Sequence, residues 1–193
     1  MSLTDEGALT RRQAELLDQL ESVFLAEGFG RFTLEELAVR LRCSKSTLYA
    51  LAGSKEQLAL RVIRHFFRKA TAAVEAETVS ESDPALRVTA YLRAVAQALA
   101  PASPAFHRDL DSFGPGREVY ERNTALAADR VRALIAEGVA QGRFRDVHPG
   151  LVADTVTTLM VRIGRGETAR ATGLDDAAAY RELAALLLHG ITV

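Results

Sequence analysis

Apolar side chains recur along this chain at the three-and-four spacing of amphipathic helices, and most stripes start beside a residue able to cap them. From Thr10 to Glu27, Leu16, Leu17, Leu20, Val23 and Phe24 share one face. Thr10 and Gln13 form a capping-box pair at its start, and Gly28 can take the left-handed conformation that closes it. A second box, Thr33 with Glu36, opens a helix of about eight residues, with Phe32 and Leu37 as its hydrophobic staple. Ser44 caps a third short helix that runs to about Leu51 and is broken by Ala52 and Gly53. Ser54 and Gln57 then launch a long helix toward Thr78. Two helices this short, separated by the corner Arg42-Cys43, are too small to fold alone. Packed on the longer helix before them, they predict a three-helix head of the helix-turn-helix type, with Leu37, Ala38, Leu41, Leu48 and Leu51 as core.

The rest of the chain is longer in its elements and more apolar. Asp83-Pro84 and Ser103-Pro104 each read as an N-cap followed by proline in the first turn. Phe113-Gly-Pro-Gly116 reads as a loop, Arg117 to Gln141 as a long helix, His148-Pro149 as the start of a helix ending near Gly164, and Asp175 to His189 as the last helix. No run alternates in the manner of a strand, and alanine, leucine, arginine and glutamate dominate, so the fold class is all-α. The expected division is a head over residues 1–53 and a helical body over residues 54–193, with residues 54–78 as the linking helix. The last two helices are apolar nearly all round, which predicts cover on more than one side. Leu151, Val152, Val156, Leu159, Ile163, Leu183, Leu187 and Ile191 are the expected face of a homodimer, arranged as an isologous four-helix contact.

Composition narrows the class without naming a partner. The 193 residues carry 24 Lys plus Arg against 25 Asp plus Glu, a net charge of −1, with 48 % hydrophobic and 25 % charged residues. That is an ordinary globular chain with enough core to fold without metal or disulfide. A lone Cys43 and the absence of a signal-peptide core or a membrane-length apolar run make the cytoplasm the expected location, with no membrane partner. Near-neutrality argues against nucleic acid only if the charges are evenly spread. They are not: Leu37 to Lys55 holds Arg40, Arg42, Lys45 and Lys55 and no acid, while the head's acids sit at Asp5, Glu6, Glu15, Asp18, Glu21, Glu27, Glu35 and Glu36. Basic residues on a short exposed helix, with hydroxyls at Ser44, Ser46 and Thr47, suit phosphate and base-edge contact in a major groove.

The run Phe32-Thr-Leu-Glu-Glu-Leu-Ala-Val-Arg-Leu-Arg-Cys-Ser-Lys-Ser-Thr-Leu-Tyr49, followed by Gly53-Ser-Lys-Glu-Gln-Leu58, resembles the DNA-binding head of TetR-type transcriptional repressors. The likeness covers about residues 10 to 60; beyond it only the layout of long helices matches. The resemblance implies that Thr33 and Tyr49 touch phosphates, that Lys45, Ser46 and Thr47 face the major groove, and that Lys55 meets the backbone. Arg42 and Ser44 complete the expected DNA-binding set. Where that family usually has Gly, the corner holds Arg42, which predicts a positive φ at a residue that disfavours it. The function implied is a ligand-responsive regulator, usually a repressor, that binds a pseudo-palindromic operator as a homodimer and is released by a small molecule. Tyr91, Phe106, His107, Phe113, Tyr120 and Met160 are the expected lining of its ligand cavity.

Rival readings are weaker. Gly164-Arg-Gly166-Glu-Thr-Ala169 has the letters of a dinucleotide fingerprint but follows a helical pattern where that chemistry needs a strand. His107 with Asp111, and Asp109 nearby, lacks a third ligand of matching spacing, so no metal and no cofactor are expected. His65, His148 and His189 are scattered, no nucleophile-base-orienter set can be assembled, and an enzyme is not expected. The competing class is a helical small-molecule or protein-interaction module that does not bind DNA.

Overall fold

The computed structural model describes residues 10–193; Asp5 and Glu6, placed among the head's acids above, lie outside them. Ten helices follow one another: α1 (Arg11–Glu27), α2 (Leu34–Arg40), α3 (Lys45–Tyr49), α4 (Lys55–Val79), α5 (Pro84–Leu99), α6 (Pro104–Ser112), α7 (Gly114–Ala140), α8 (Pro149–Gly164), α9 (Glu167–Thr172) and α10 (Asp176–Ile191). Among the described residues the fold is all-α. A single antiparallel bridge between Phe144 and Thr192 ties the α7–α8 turn to the C-terminus.

The expected caps set most of the boundaries. Thr10 accepts from the Gln13 amide and Thr33 from the Glu36 amide, each in a reciprocal box, and Ser44, Ser54, Asp83, Ser103 and Asp175 cap α3, α4, α5, α6 and α10. The box at Ser54 is half formed. Gln57 donates its amide to Ser54 Oγ, but its side chain accepts from Gly53 rather than from the cap residue.

Two expectations need correction. Gly114 to Gly116 is not a loop: α7 starts at Gly114, because Pro115 falls in the first turn, where its missing N–H leaves no bond unmade. After Gly166 the chain forms the short helix α9, bracketed by Gly166 and Gly173 in the left-handed region. Gly28 ends α1 at φ 76° and ψ 177°, outside the left-handed helical well and in a region open essentially to glycine alone.

Two clusters of buried side chains organise the packing. The first joins α1–α3 to Leu58, Val62, Ile63, Phe66 and Phe67 of α4 and to Phe106 and Leu110 of α6. The second lies among α5, α7, α8 and α10, around Leu92, Ile135, Val156 and Ile163. Thus α4 enters both, with its first turns in the head core and Val74 in the body core. No helix among the described residues is long and apolar enough to cross a membrane.

At the end of α7, Phe144 folds back onto Gly138, where any Cβ would run into the phenyl ring. Gly138→Ala is therefore expected to cost about 1–3 kcal/mol through overpacking, and thermal unfolding should show a midpoint lower by about 2–4 °C per kcal/mol. An unchanged midpoint would mean that Phe144 has room to move.

Candidate nucleic-acid interface and ligand cavity

Helix α3 is held from below and free above. Leu48 is fully buried, whereas Lys45, Ser46 and Tyr49 are exposed, Tyr49 by 46 %. Ser44 Oγ accepts from the Thr47 amide at 3.1 Å and lies 2.7 Å from both Ser46 Oγ and Thr47 Oγ1, so three hydroxyls cluster on the first turn. Tyr49 stands one turn further on the same short helix. Arg42, exposed at the corner, does adopt φ 50°, and among the described residues it is alone in doing so without being glycine. The Cys43 amide closes that corner on Ala38 O at 3.0 Å.

The charges differ in space from their order along the chain. Lys45 pairs with Glu35 of α2, a bond that raises the ammonium's pKa and lowers that of the carboxyl. Arg31 and Arg40 both reach Glu27, their guanidinium groups 4.6 and 5.7 Å from the Phe32 ring centre. Thr33 gives its amide to Glu36 Oε2 at 2.7 Å and its hydroxyl at 3.0 Å, bonds that hold Glu36 below the usual carboxylate range. Lys55 is not free toward solvent: Nζ donates to Gly30 O at 2.7 Å, pinning the start of α4 to the α1–α2 loop. A phosphate at Thr33 must therefore displace Glu36, and one at Lys45 must compete with Glu35. Exposed pairs of this kind are weak enough for that exchange.

In the body, a cavity of about 480 Å³ opens among α4, α5, α7 and α8. Its wall includes Tyr91, Tyr120 and Met160 together with Phe67, Thr71, Val74, Val95, Asn123, Thr124 and Thr157. Tyr91 is nearly inaccessible; burial pushes its phenol up to about 12, and its hydroxyl has only a long bond, 3.5 Å, to Ala127 O. Glu75 and Arg130 also line the cavity and pair with each other at 2.9 Å. Being partly exposed, they keep the charged part of the lining in contact with solvent.

The other three residues expected in the lining stand elsewhere. Phe106 lies in the head core, edge-on to Phe29 and Phe66. Phe113 packs on Phe29 with ring centres 5.8 Å apart. His107 is buried behind Tyr120, ring centres 6.2 Å apart, and desolvation lowers its pKa, so the imidazole is neutral near pH 7. Thr71 and Glu75 follow Phe67 on α4 by four and eight residues, a helical spacing that puts all three on the wall of the cavity. The remaining signal is Ala70, Ala98, Ala127 and Ala133, small residues that leave the space open.

Of the expected dimer face, Val156, Ile163, Leu183 and Ile191 are already buried within one chain, because their helices pack on α7 and α5. Leu151 is 66 % exposed, Val152, Leu159 and Leu187 are half-buried, and Leu186, not on the expected face, is 72 % exposed. On α8 and α10 these five, with the half-buried Val161 and Leu188, are the larger apolar side chains left in part uncovered.

Asp18, Glu21 and His65 bring three potential ligand atoms within 4.8 Å of one another. Lys69 Nζ already stands 2.8 Å from Asp18 and 3.0 Å from Glu21, which puts an ammonium where a metal would sit. His65 bonds Asp18 at 2.9 Å, and these bonds, His65 first, lower the Asp18 pKa. The cluster acts as an ion-pair bridge between α1 and α4. Asp111 pairs with Arg165 rather than His107. Gly164 to Ala169 runs from the end of α8 into α9 with no strand before it, so it has none of the geometry of a dinucleotide loop.

A helix-turn-helix head whose last helix presents hydroxyl, ammonium and phenol groups, set on a helical body with one large apolar cavity, defines a DNA-binding regulator. The tetR family of bacterial regulatory proteins matches residues 16–62. A curated relative, the HTH-type transcriptional regulator YfiR of Bacillus subtilis (strain 168), itself uncharacterised, is 28 % identical over 145 residues, 72 % of this chain and 71 % of that one. In fold, the chain is similar to a transcriptional regulator from Saccharomonospora viridis in complex with choline, at TM-score 0.80 and 18 % identity, over 93 % of this chain and 97 % of that one. It is also similar to AibR in complex with isovaleryl coenzyme A and operator DNA, at TM-score 0.66 and 16 % identity, over 90 % and 96 %. Over residues 16–62 this chain carries the DNA-binding head of the tetR family of bacterial regulatory proteins, and its whole helical layout is that of transcriptional regulators of similar fold.

Arg42→Gly should raise stability. A non-glycine residue in the left-handed region costs roughly 1–2 kcal/mol, part of which returns as extra freedom of glycine in the unfolded chain. The expected gain is a midpoint higher by about 2–4 °C in thermal unfolding; a fall would show that the Arg42 side chain contributes more than its backbone costs.

Proposed function

We propose that the chain is a homodimeric, ligand-responsive repressor whose heads, residues 1–53, enter successive major grooves of a pseudo-palindromic operator in the cytoplasm. The observation that carries this reading is the outer face of α3: Lys45, Ser46 and Tyr49 project from a five-residue helix anchored by Leu48 alone. Ser44 and Thr47 order that turn, Thr33 and Lys55 flank it for phosphate, and Arg42 adds an exposed cation at the corner. Two-fold symmetry would set the heads about 34 Å apart, one helical turn of DNA.

The dimer contact is assigned to Leu151, Val152, Leu159, Leu186 and Leu187, which are among the exposed or half-buried apolar residues of α8 and α10. The ligand is assigned to the cavity of residues 54–193. An apolar wall with hydroxyl and amide handles from Tyr91, Thr157 and Asn123 favours a mostly apolar molecule, any charge lying beside Glu75 and Arg130. That proteins of this fold occur with choline and with isovaleryl coenzyme A supports a small organic ligand without choosing between charges. Binding releases DNA to the extent that the ligand prefers a head spacing that no longer fits.

Selection of bound fragments from random duplex DNA tests the reading. The chain is expected to enrich a two-fold site, with log affinity falling against log salt at a slope near −0.9 for each phosphate neutralised. Lys45→Ala with Tyr49→Ala should weaken that binding at least about tenfold and flatten the slope; unchanged affinity and slope would remove α3 from the interface. Sedimentation should give twice the chain mass of 20.9 kDa, and a species of one chain mass at micromolar concentration would overturn the dimer.

A further inference from the structure

Between Gly28 and Gly30 the backbone turns two amides toward one carboxylate on the body. Asp109, on α6, accepts from Phe29 N at 2.6 Å and from Gly30 N at 2.7 Å, both at Oδ2, across 80 and 79 residues of sequence. The approach needs both glycines. A Cβ on Gly28 would collide with Oδ2, and one on Gly30 would stand 2.8 Å from Oδ1. Gly28 also sits at φ 76°, where a side chain is strained whatever the space. The same loop leads directly into Thr33 and α2, and its Gly30 carbonyl receives Lys55, the first residue of α4. A second bond beside it, Ser103 N to Leu25 O at 2.8 Å, ties the start of α6 to the end of α1.

Apart from these bonds the head meets α6 through apolar side chains, Phe106 and Leu110, whose packing limits distance but fixes direction poorly. Two amide-to-carboxylate bonds on one oxygen fix direction. We propose that Asp109 is the positioning residue that sets the angle of each DNA-binding head on its body, and so the spacing of half-sites the dimer accepts. The inference rests on the DNA-binding reading above and adds to it which bond defines the geometry.

The test uses the full chain and the duplex selected by it, with three probes: the selected site, the same site with one base pair inserted between its halves, and a single half-site. The insertion moves one half by about 3.4 Å and a tenth of a turn. Wild-type protein is expected to lose about tenfold or more in affinity on insertion, whereas Asp109→Ala should bind the selected site about tenfold more weakly and lose only about threefold further. Single half-site affinity should stay within about twofold of wild type, because α3 and its core are untouched. Gly30→Ala, which crowds the same carboxylate from the other side, should give the same pattern, and the double variant should be no worse than either single one. Asp109→Asn keeps an acceptor oxygen but no charge, and should fall between. Amide exchange supplies a readout independent of DNA: Phe29 and Gly30 should exchange at least about tenfold faster in Asp109→Ala, with Leu48 unchanged.

Full spacing discrimination in Asp109→Ala, or unchanged exchange at Phe29 and Gly30, would overturn the inference. So would half-site binding lost in step with the full site, which would make Asp109 part of the head's own fold. A wild-type chain that binds no duplex, with exchange at Phe29 and Gly30 behaving as expected, would remove the DNA-binding reading and the spacing role while leaving the head-to-body bond in place.

Discussion

Phe106 and Leu110 of α6, with Leu58, Val62, Ile63 and Phe66 of α4, fill the side of the head that its own three helices leave open. Helices α2 and α3 have seven and five residues, far below the length at which a helix holds itself together in water. They persist because Leu37 and Leu48 are fully buried against α1 and α4. The head is therefore not an independent bead on a linker. Its core is finished by the body, and any movement of α4 or α6 reaches the residues that carry α3. Burying one large side chain at such a joint contributes about 1.5–3 kcal/mol, so the joint resists separation of the parts more strongly than it resists small sliding.

Charge in the head follows the same logic of borrowed partners. The segment Leu37 to Lys55 is free of acids in sequence, yet Glu27 and Glu35 from outside it neutralise Arg40 and Lys45. A net charge of −1 for the whole chain is thus matched by a head surface on which Arg31, Arg40 and Lys45 are held by Glu27 and Glu35 until something else competes. Phosphate is such a competitor, since it exchanges a weak exposed pair for a stronger charge-assisted bond and releases counterions as well. Little non-specific attraction to DNA is then expected, which would shift discrimination to geometry: in the proposed dimer, how two heads are spaced and how stiffly they are held.

What could be read from the sequence was local. Caps at Thr10, Thr33, Ser44, Asp83 and Ser103 form within three residues, so the side chain that makes the bond is visible beside the amide that needs it. The positive φ at Arg42 was legible only through the family resemblance, in which a glycine usually stands at that corner. Misreadings arose where tertiary contact overrode local chemistry. Gly114-Pro115-Gly116 has turn composition, but Gly116 packs against Phe113, Ile63 and Leu110, and that packing holds the segment in the first turn of α7. Phe106, His107 and Phe113 looked like cavity residues because aromatic and polar character alone cannot say which side of a helix faces space and which faces the next core. The cavity itself is defined by alanines that do not reach, a signal with almost no chemical signature.

Long-range bonds were not legible at all, and they connect the two functional regions. Tyr120 lines the cavity with one face and meets His107 of α6 with another; Phe106, next in sequence, packs on Phe29; and Asp109, one turn later, holds the Phe29 and Gly30 amides. A neutral, buried His107 suits this position, because a charged imidazole among Phe106 and Tyr120 would have to be resolvated before α6 could stay seated. On the other side of the cavity, Thr157, Met160 and Val161 line it from α8, the helix whose Leu151, Val152 and Leu159 form part of the proposed dimer face. In the proposed dimer, a molecule in the cavity would therefore touch, through one layer of side chains, both the helix proposed to aim the head and a helix of the proposed subunit contact. If two copies of α3 enter one face of a duplex as proposed, angle and distance together determine the fit, and occupancy of a single apolar space would alter both.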